Sequence, residues 1–287
     1  MQDLKNIRAD IDKIDRQIVA LYEERMKLTS EVAAYKIANG REVFDSAREL
    51  QKLAAVEDLT HSEFTRHGVH ELFEHIMAMS RKKQYQLLTE SGRRFDSEFQ
   101  TVDTLDFQGK TVLLSMTSGA SARAFLPKGV RLEQTEKIET MFERLVNGEV
   151  SYGFIEVGTD RFGGNVIGYY NEIAENNCQI VASYADDRDE TRRCLLLSAR
   201  KEALAGADQI SICFEAPDEC GALYHLLSHI TYNNLNLNRI GSAVISTEPL
   251  DYRFFVDVTG SLQDGAIWNA LQGLKDEARN FRIIGNY

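Results

Sequence analysis

Apolar residues in the first part of the chain recur at Leu4, Ile7, Ile11, Ile14, Ile18, Leu21, Leu28, Val32 and Tyr35. The alternating steps of three and four are those of one helix face, and they predict one helix over residues 1–38. One beat is missing, and Arg25 fills it. Lys36 returns to nearly the same face about three turns later. A guanidinium and an ammonium facing a core are costly unless something anionic meets them, so the pattern predicts a buried site for a small acid. A lone arginine on an apolar seam is also what a snorkelling or ion-paired side chain looks like, so Arg25 carries weight only in company.

The first helix ends near Asn39-Gly40, a natural C-terminal cap. Ser46-Ala47-Arg48-Glu49 has the form of a capping box and starts a second helix that runs to about Leu59. A third helix covers roughly Val69 to Leu88, with Phe73, Ile76, Met77, Leu87 and Leu88 on its apolar face. Ser80 and Gln84 share that face, one turn apart. Residues 1–90 are therefore expected to be all helix. The first helix would be about 50 Å long, much longer than a domain of that size is across. That length predicts an intertwined homodimer with sites shared between subunits.

Polar residues make 91–108 a linker. From 109 to 207, short apolar runs alternate with helical stretches, which indicates α/β. Strand candidates are Thr111–Ser115, Tyr152–Val157 and Cys194–Ser198, with a helix from Lys137 to Asn147. Residues 208–287 follow the order β-α-β-β-α-β. Its strands are Gln209–Phe214, Leu237–Ser246, Tyr252–Thr259 and Phe281–Ile284, and its helices Cys220–Tyr232 and Asp264–Ala278. That order is a ferredoxin-like α+β layout.

With 287 residues, the chain is long enough for two or three domains. A net charge of -11 argues against nucleic acid as a general partner, yet leaves room for a local cationic pocket. Cys178, Cys194, Cys213 and Cys220 lack metal-ligand spacing and are expected to be reduced, buried thiols. There is no apolar run long enough for a membrane span and no signal-peptide pattern, so a cytoplasmic protein without a membrane partner is expected.

The N-terminal pattern resembles the all-helical chorismate mutases of the AroQ class, found at the front of bifunctional chorismate mutase/prephenate dehydratase proteins. The resemblance covers about 90 residues. It implies that Arg8 is the arginine donated by the other subunit and that Arg25 and Arg48 bind or organise the ligand carboxylates. Lys36 and Gln84 would then donate to the ether oxygen, Asp45 would bind the hydroxyl with Glu49 one turn along, and Ser80 would join Gln84 on the third helix. The implied reaction is the one-substrate rearrangement of chorismate to prephenate. It needs no nucleophile, metal or redox cofactor, only a dianion held in a compact conformer and donors at the oxygen where charge builds.

Residues 109–207 resemble the opening lobe of prephenate dehydratase, a periplasmic-binding-protein-like α/β fold. Val112-Leu113-Leu114-Ser115 with Gly119-Ala120-Ser121 matches its first strand and glycine turn. Met141 to Glu149, then Tyr152-Gly153, matches its helix and next strand. Val157-Gly158-Thr159-Asp160 stands where the family has I-E-N-[ST], and Thr191-Arg192-Arg193 where it has Thr-Arg-Phe. Only thirty residues separate Asp160 from Thr191, where the family places a second lobe. The resemblance therefore implies a shortened, degenerate domain.

Residues 208–287 resemble an ACT regulatory domain. Gly221-Ala222-Leu223-Tyr224 matches its G-A-L motif, and Gly241-Ser242-Ala243-Val244 keeps only the serine of its E-S-R-P motif. Gly221, Ala222, Leu223 and Ser242 are thus the candidate contacts for an aromatic amino-acid effector. A pair of such domains can also serve dimerisation alone. The reading is a chorismate mutase of phenylalanine and tyrosine biosynthesis with C-terminal regulatory regions, working as a homodimer or a tetramer. The alternatives are the complete bifunctional enzyme giving phenylpyruvate, and an amino-acid-sensing regulatory protein.

Overall fold

The computed structural model describes residues 3–157, 166–186, 189–216, 220–248 and 250–287, with backbone alone at residues 186, 189–192 and 250. The chain divides into two compact units, Met1–Phe95 and Asp96–Tyr287.

The first unit is three helices: α1 (Leu4–Ala38), α2 (Ser46–Glu57) and α3 (Glu63–Glu90). Each begins at a side-chain cap. Asp3, Asp45 and Ser62 accept from the backbone N–H groups of Lys5, Arg48 and Thr65, which satisfies otherwise orphaned donors. The Ser62 cap starts α3 six residues before the apolar periodicity does. α1 and α2 both pack on α3, around Ala33, Leu53, Val56, Met77, Ala78 and Tyr85.

The apolar seam of α1 does not face this core. Leu4, Ile7, Ile11, Ile14, Ile18, Leu21, Leu28, Val32 and Tyr35 are all exposed, Leu21 and Tyr35 by more than 60%. On α1 only Thr29 and Ala33 are buried. The seam expected to line the domain interior is left uncovered by a single chain.

The second unit opens with β1 (Gln100–Val102), inside the stretch expected as linker. It pairs in parallel with β7 (Glu202–Leu204). Between them run β2 (Thr111–Leu114), α4 (Gly119–Phe125), β3 (Arg131–Gln134), α5 (Ile138–Val146), β4 (Tyr152–Glu156), α6 (Val166–Glu175), β5 (Gln179–Asp186) and β6 (Asp189–Ser198). The chain ends with β8 (Gln209–Glu215), α7 (Ala222–Tyr232), β9 (Leu237–Thr247), β10 (Leu250–Thr259), α8 (Gly265–Glu277) and β11 (Arg279–Asn286).

Nine of these strands form one sheet in the order β3-β2-β4-β6-β5-β11-β8-β10-β9. The last four positions have the ferredoxin-like strand order expected for residues 208–287. Residues 109–207 and 208–287 thus share a sheet and a compact unit. Within the sheet the two regions meet where β11 pairs with β5, at Gly285 opposite Ile180. A Cβ on Gly285 would lie 2.6 Å from the Ile180 carbonyl oxygen, so only glycine allows this approach. Behind it, Tyr170 donates to Asp257 at 3.0 Å, Ser211 donates to Asp257 at 2.6 Å, and Arg193 donates to the Tyr287 phenol at 3.0 Å. The first two bonds satisfy the Asp257 carboxylate, which is almost wholly buried.

None of the four cysteines forms a disulfide, and Cys178, Cys194 and Cys213 are buried as expected. Cys220 is exposed, which corrects the expectation for that residue. It stands in the turn before α7, outside the apolar periodicity of the helix. Burial pushes the Cys178 and Cys213 thiols up to about 11 and about 12, which keeps them protonated and unreactive at neutral pH. Among the described residues, no helix is long and apolar enough to cross a membrane.

Candidate active site

A cavity of about 300 Å³ opens among the three helices of the first unit. From α1 it is lined by Arg25, Leu28, Thr29, Val32 and Lys36, and from the loop and α2 by Val43, Asp45, Arg48, Glu49 and Lys52. Met77, Ser80, Arg81 and Gln84 of α3 complete the wall. Of the eight expected site residues, seven lie in this wall. Arg8, near the start of α1, does not.

Helical spacing explains the convergence. Arg25, Thr29, Val32 and Lys36 sit on one stripe of α1, and Met77, Ser80, Arg81 and Gln84 are i, i+3, i+4 and i+7 on α3. Asp45 and Glu49 are one turn apart, on either side of the start of α2. Asp45 Oδ1 accepts from Arg48 N at 3.0 Å, so the capping bond also fixes the carboxylate. Arg48 itself reaches Gln51 Oε1 at 2.9 Å and stays exposed.

Arg25 and Lys36, on the α1 stripe that faces the cavity, are held by neutral oxygens. Arg25 Nη1 donates to Ser80 Oγ and, at 3.4 Å, to the Ile76 carbonyl. Ser80 Oγ donates in turn to the same carbonyl at 2.8 Å. Lys36 Nζ donates to the Val43 carbonyl at 2.6 Å. Burial lowers the pKa of both from their ordinary values; Tyr22 and Glu49 act against this at Arg25, and Asp45 and Glu49 at Lys36. Each cation thus sits where its charge is under-compensated.

Gln84 supplies a complementary observation. Its Nε2 donates to the Ser80 carbonyl at 3.2 Å, while its buried Oε1 has no partner among the described residues. Leaving a buried acceptor unsatisfied costs about 1–3 kcal/mol. The Ser80 carbonyl fixes the amide nitrogen on its side, because a turned-over amide would set two acceptor oxygens against each other, and that bond uses one of the two Nε2 hydrogens.

Five cationic side chains (Arg25, Lys36, Arg48, Lys52 and Arg81) face two carboxylates (Asp45 and Glu49) around this cavity. Such a wall suits a small molecule with more than one negative charge and at least one hydroxyl. Lys52 and Arg81 were not expected from the sequence. Arg81 was recoverable, because it completes the α3 stripe that holds Ser80 and Gln84.

The other expected residues lie elsewhere. Thr191 and Arg192 fall within the span of β6, but their side chains lie outside the described residues, as do Gly158, Thr159 and Asp160. Gly221 holds a left-handed φ of 78° as the N-cap of α7, followed by Ala222 and Leu223. Ser242 is on the outer strand β9, opposite Phe254. Among the described residues, no hydrogen bond links Ser242 to the start of α7.

Residues 7–85 match the family model of chorismate mutase type II, so the N-terminal unit carries a domain of that type. A bifunctional chorismate mutase/prephenate dehydratase of Aquifex aeolicus (strain VF5) is 32% identical over 119 residues, covering 42% of this chain and 31% of the relative. The chain spans about a third of the length of the curated relatives it matches. Among solved structures, a prephenate dehydratase from Streptococcus mutans has a TM-score of 0.52 at 20% identity, over 62% of this chain and 97% of that one. The quorum-quenching acylase GqqA has a TM-score of 0.53 at 18% identity, over 61% of this chain and 93% of that one. At these identities the likeness is one of fold, and the fold serves more than one chemistry.

Proposed function

We propose that this protein is a chorismate mutase, converting chorismate to prephenate in the N-terminal unit. The observation that carries the reading is the meeting of Arg25, Lys36, Asp45, Arg48, Glu49, Ser80 and Gln84, drawn from α1, α2 and α3, around one cavity. Chorismate is a flexible dianion. Its rearrangement breaks a C–O bond as a C–C bond forms within one molecule, so the protein must hold the compact conformer and stabilise charge on the departing oxygen.

Arg25 and Arg48 pair with the carboxylates through planar guanidinium forks. Lys36 and Gln84 donate to the ether oxygen, Asp45 and Glu49 accept the ligand hydroxyl, and Ser80 steadies Arg25. The uncovered seam of α1 supports a homodimer in which a second chain covers it and lends Arg8 to the site. Removing a preorganised donor of this kind typically costs about a hundredfold or more in turnover. Lys36→Ala and Arg25→Ala are expected to lose that much, followed as chorismate absorbance. Wild-type turnover in a folded variant would refute the assignment.

For residues 96–287 the proposal is a shortened dehydratase-like lobe joined to an ACT-like regulatory region. Gly221, Ala222, Leu223 and Ser242 are its candidate effector contacts, with an aromatic amino acid as effector. The 32% identity to a bifunctional chorismate mutase/prephenate dehydratase favours the bifunctional enzyme as the second reading. Prephenate given to the purified protein decides between them, since phenylpyruvate formation is expected only from the bifunctional form. Failure to consume chorismate, with thermal stabilisation by an aromatic amino acid, would favour a sensor instead.

A further inference from the structure

Two carboxylates stand in a cavity wall otherwise rich in cations, and they are held differently. Asp45 is fixed by the helix it caps. Glu49 is fixed from another element: Arg81 Nη1 on α3 donates to its Oε2. The Arg81 side chain is only 9% exposed and that of Glu49 23%, so water screens the pair weakly. Arg81 Cζ also lies 5.2 Å from the ring centroid of Phe44, in the loop that leads into α2, within cation–π range. The guanidinium therefore ties together three segments of the wall. These are α3 beside Ser80 and Gln84, α2 at Glu49, and the loop whose Val43 carbonyl receives Lys36 and whose Asp45 caps α2.

A carboxylate facing a dianion is repulsive unless its charge is offset, and useful only if its free oxygen is aimed. We propose that Arg81 is a positioning residue for Glu49. It occupies Oε2, leaves Oε1 to accept the ligand hydroxyl, and offsets the charge that would oppose a doubly negative substrate. This rests on the chorismate mutase reading above. Arg81 acts through Glu49 and need not touch the substrate, so its loss should appear mainly in binding.

The test is steady-state chorismate kinetics on the full-length chain for wild type, Arg81→Met, Glu49→Gln, the double variant and Arg81→Lys. Arg81→Met is expected to raise KM about tenfold or more with a smaller change in kcat, the scale of a lost charge-assisted bond. In the Glu49→Gln background the same change should alter KM by less than about twofold, because coupled residues are not additive. Arg81→Lys should recover part of the loss. If Arg81→Met does not fold, Arg81→Lys carries the comparison, with an effect expected in the wild-type background and none beside Glu49→Gln. A wild-type KM in folded Arg81→Met, or equal losses in both backgrounds, would overturn the proposal. Wild-type protein that leaves chorismate untouched would overturn the mutase reading and this one together, a result distinct from an active enzyme indifferent to Arg81.

Discussion

At the scale of single residues, the cavity wall shows side chains kept at some cost to the resting protein. Gln84 buries an acceptor without a partner. Gln84→Leu is expected to unfold at the same or a higher temperature than wild type, because the unsatisfied atom is gone. Its chorismate turnover should fall by about tenfold or more, because in the proposed mechanism the second Nε2 hydrogen donates to the ether oxygen. A variant both less stable and fully active would contradict that assignment. Lys36 carries a pH signature: burial lowers its pKa, so the free protein loses the ammonium at lower pH than an exposed lysine would. A bound dianion restores the charged form. The alkaline fall of kcat/KM is therefore expected at lower pH than that of kcat, and Lys36→Arg should remove the limb within the measurable range. Most of this was legible in the sequence, since a cation on an apolar stripe and a Ser–Gln pair at one-turn spacing are readable patterns. Arg81 was less so, because its meaning depends on Glu49 being opposite it on another helix, a contact no local spacing encodes.

At the scale of elements, caps decide more than propensity does. α1 and α2 follow from the apolar spacing, the Asn39-Gly40 stop and the Ser46-Ala47-Arg48-Glu49 start. The true start of α3 was hidden because its first turns, Glu63 to Gly68, carry little apolar signal and end in a glycine. Ser62 compensates by accepting from Thr65 N at 3.2 Å. Ser62→Ala is expected to cost about 1 kcal/mol of stability in denaturant titration. Chorismate kinetics should stay unchanged, because Ser62 lies outside the cavity wall. An unchanged midpoint would mean that packing on α1 and α2 alone sets the start of α3. In the second unit, β2, β4 and the core of β6 were readable as continuous apolar runs, as strands buried on both faces should be. β3 is an edge strand of sequence Arg-Leu-Glu-Gln, and β1 and β7 are three residues each. Runs that short or polar carry no period to detect.

At the scale of the whole molecule, sequence periodicity stops at what one chain does locally. It could not show that β11 returns to pair with β5, a contact that depends on the bare backbone of Gly285. The length of α1 did carry information beyond one chain. Thirty-five residues span about 52 Å, and the apolar seam along them is exposed, a patch that isolated soluble chains rarely leave uncovered. The cover proposed above is a second copy, because a two-fold axis lets the same seam serve both chains. Sites shared in that way would have a quantitative consequence. Arg8→Ala and Lys36→Met should each be nearly inactive alone. In a mixed dimer, one site carries both defects and the other carries neither, because its Lys36 comes from one chain and its Arg8 from the other. Random re-pairing of equal amounts, after reversible dissociation, makes half the dimers mixed, so about a quarter of all sites should regain wild-type activity. Activity that stays at the level of the parents, in a mixture shown to have exchanged subunits, would mean that each cavity is completed within its own chain.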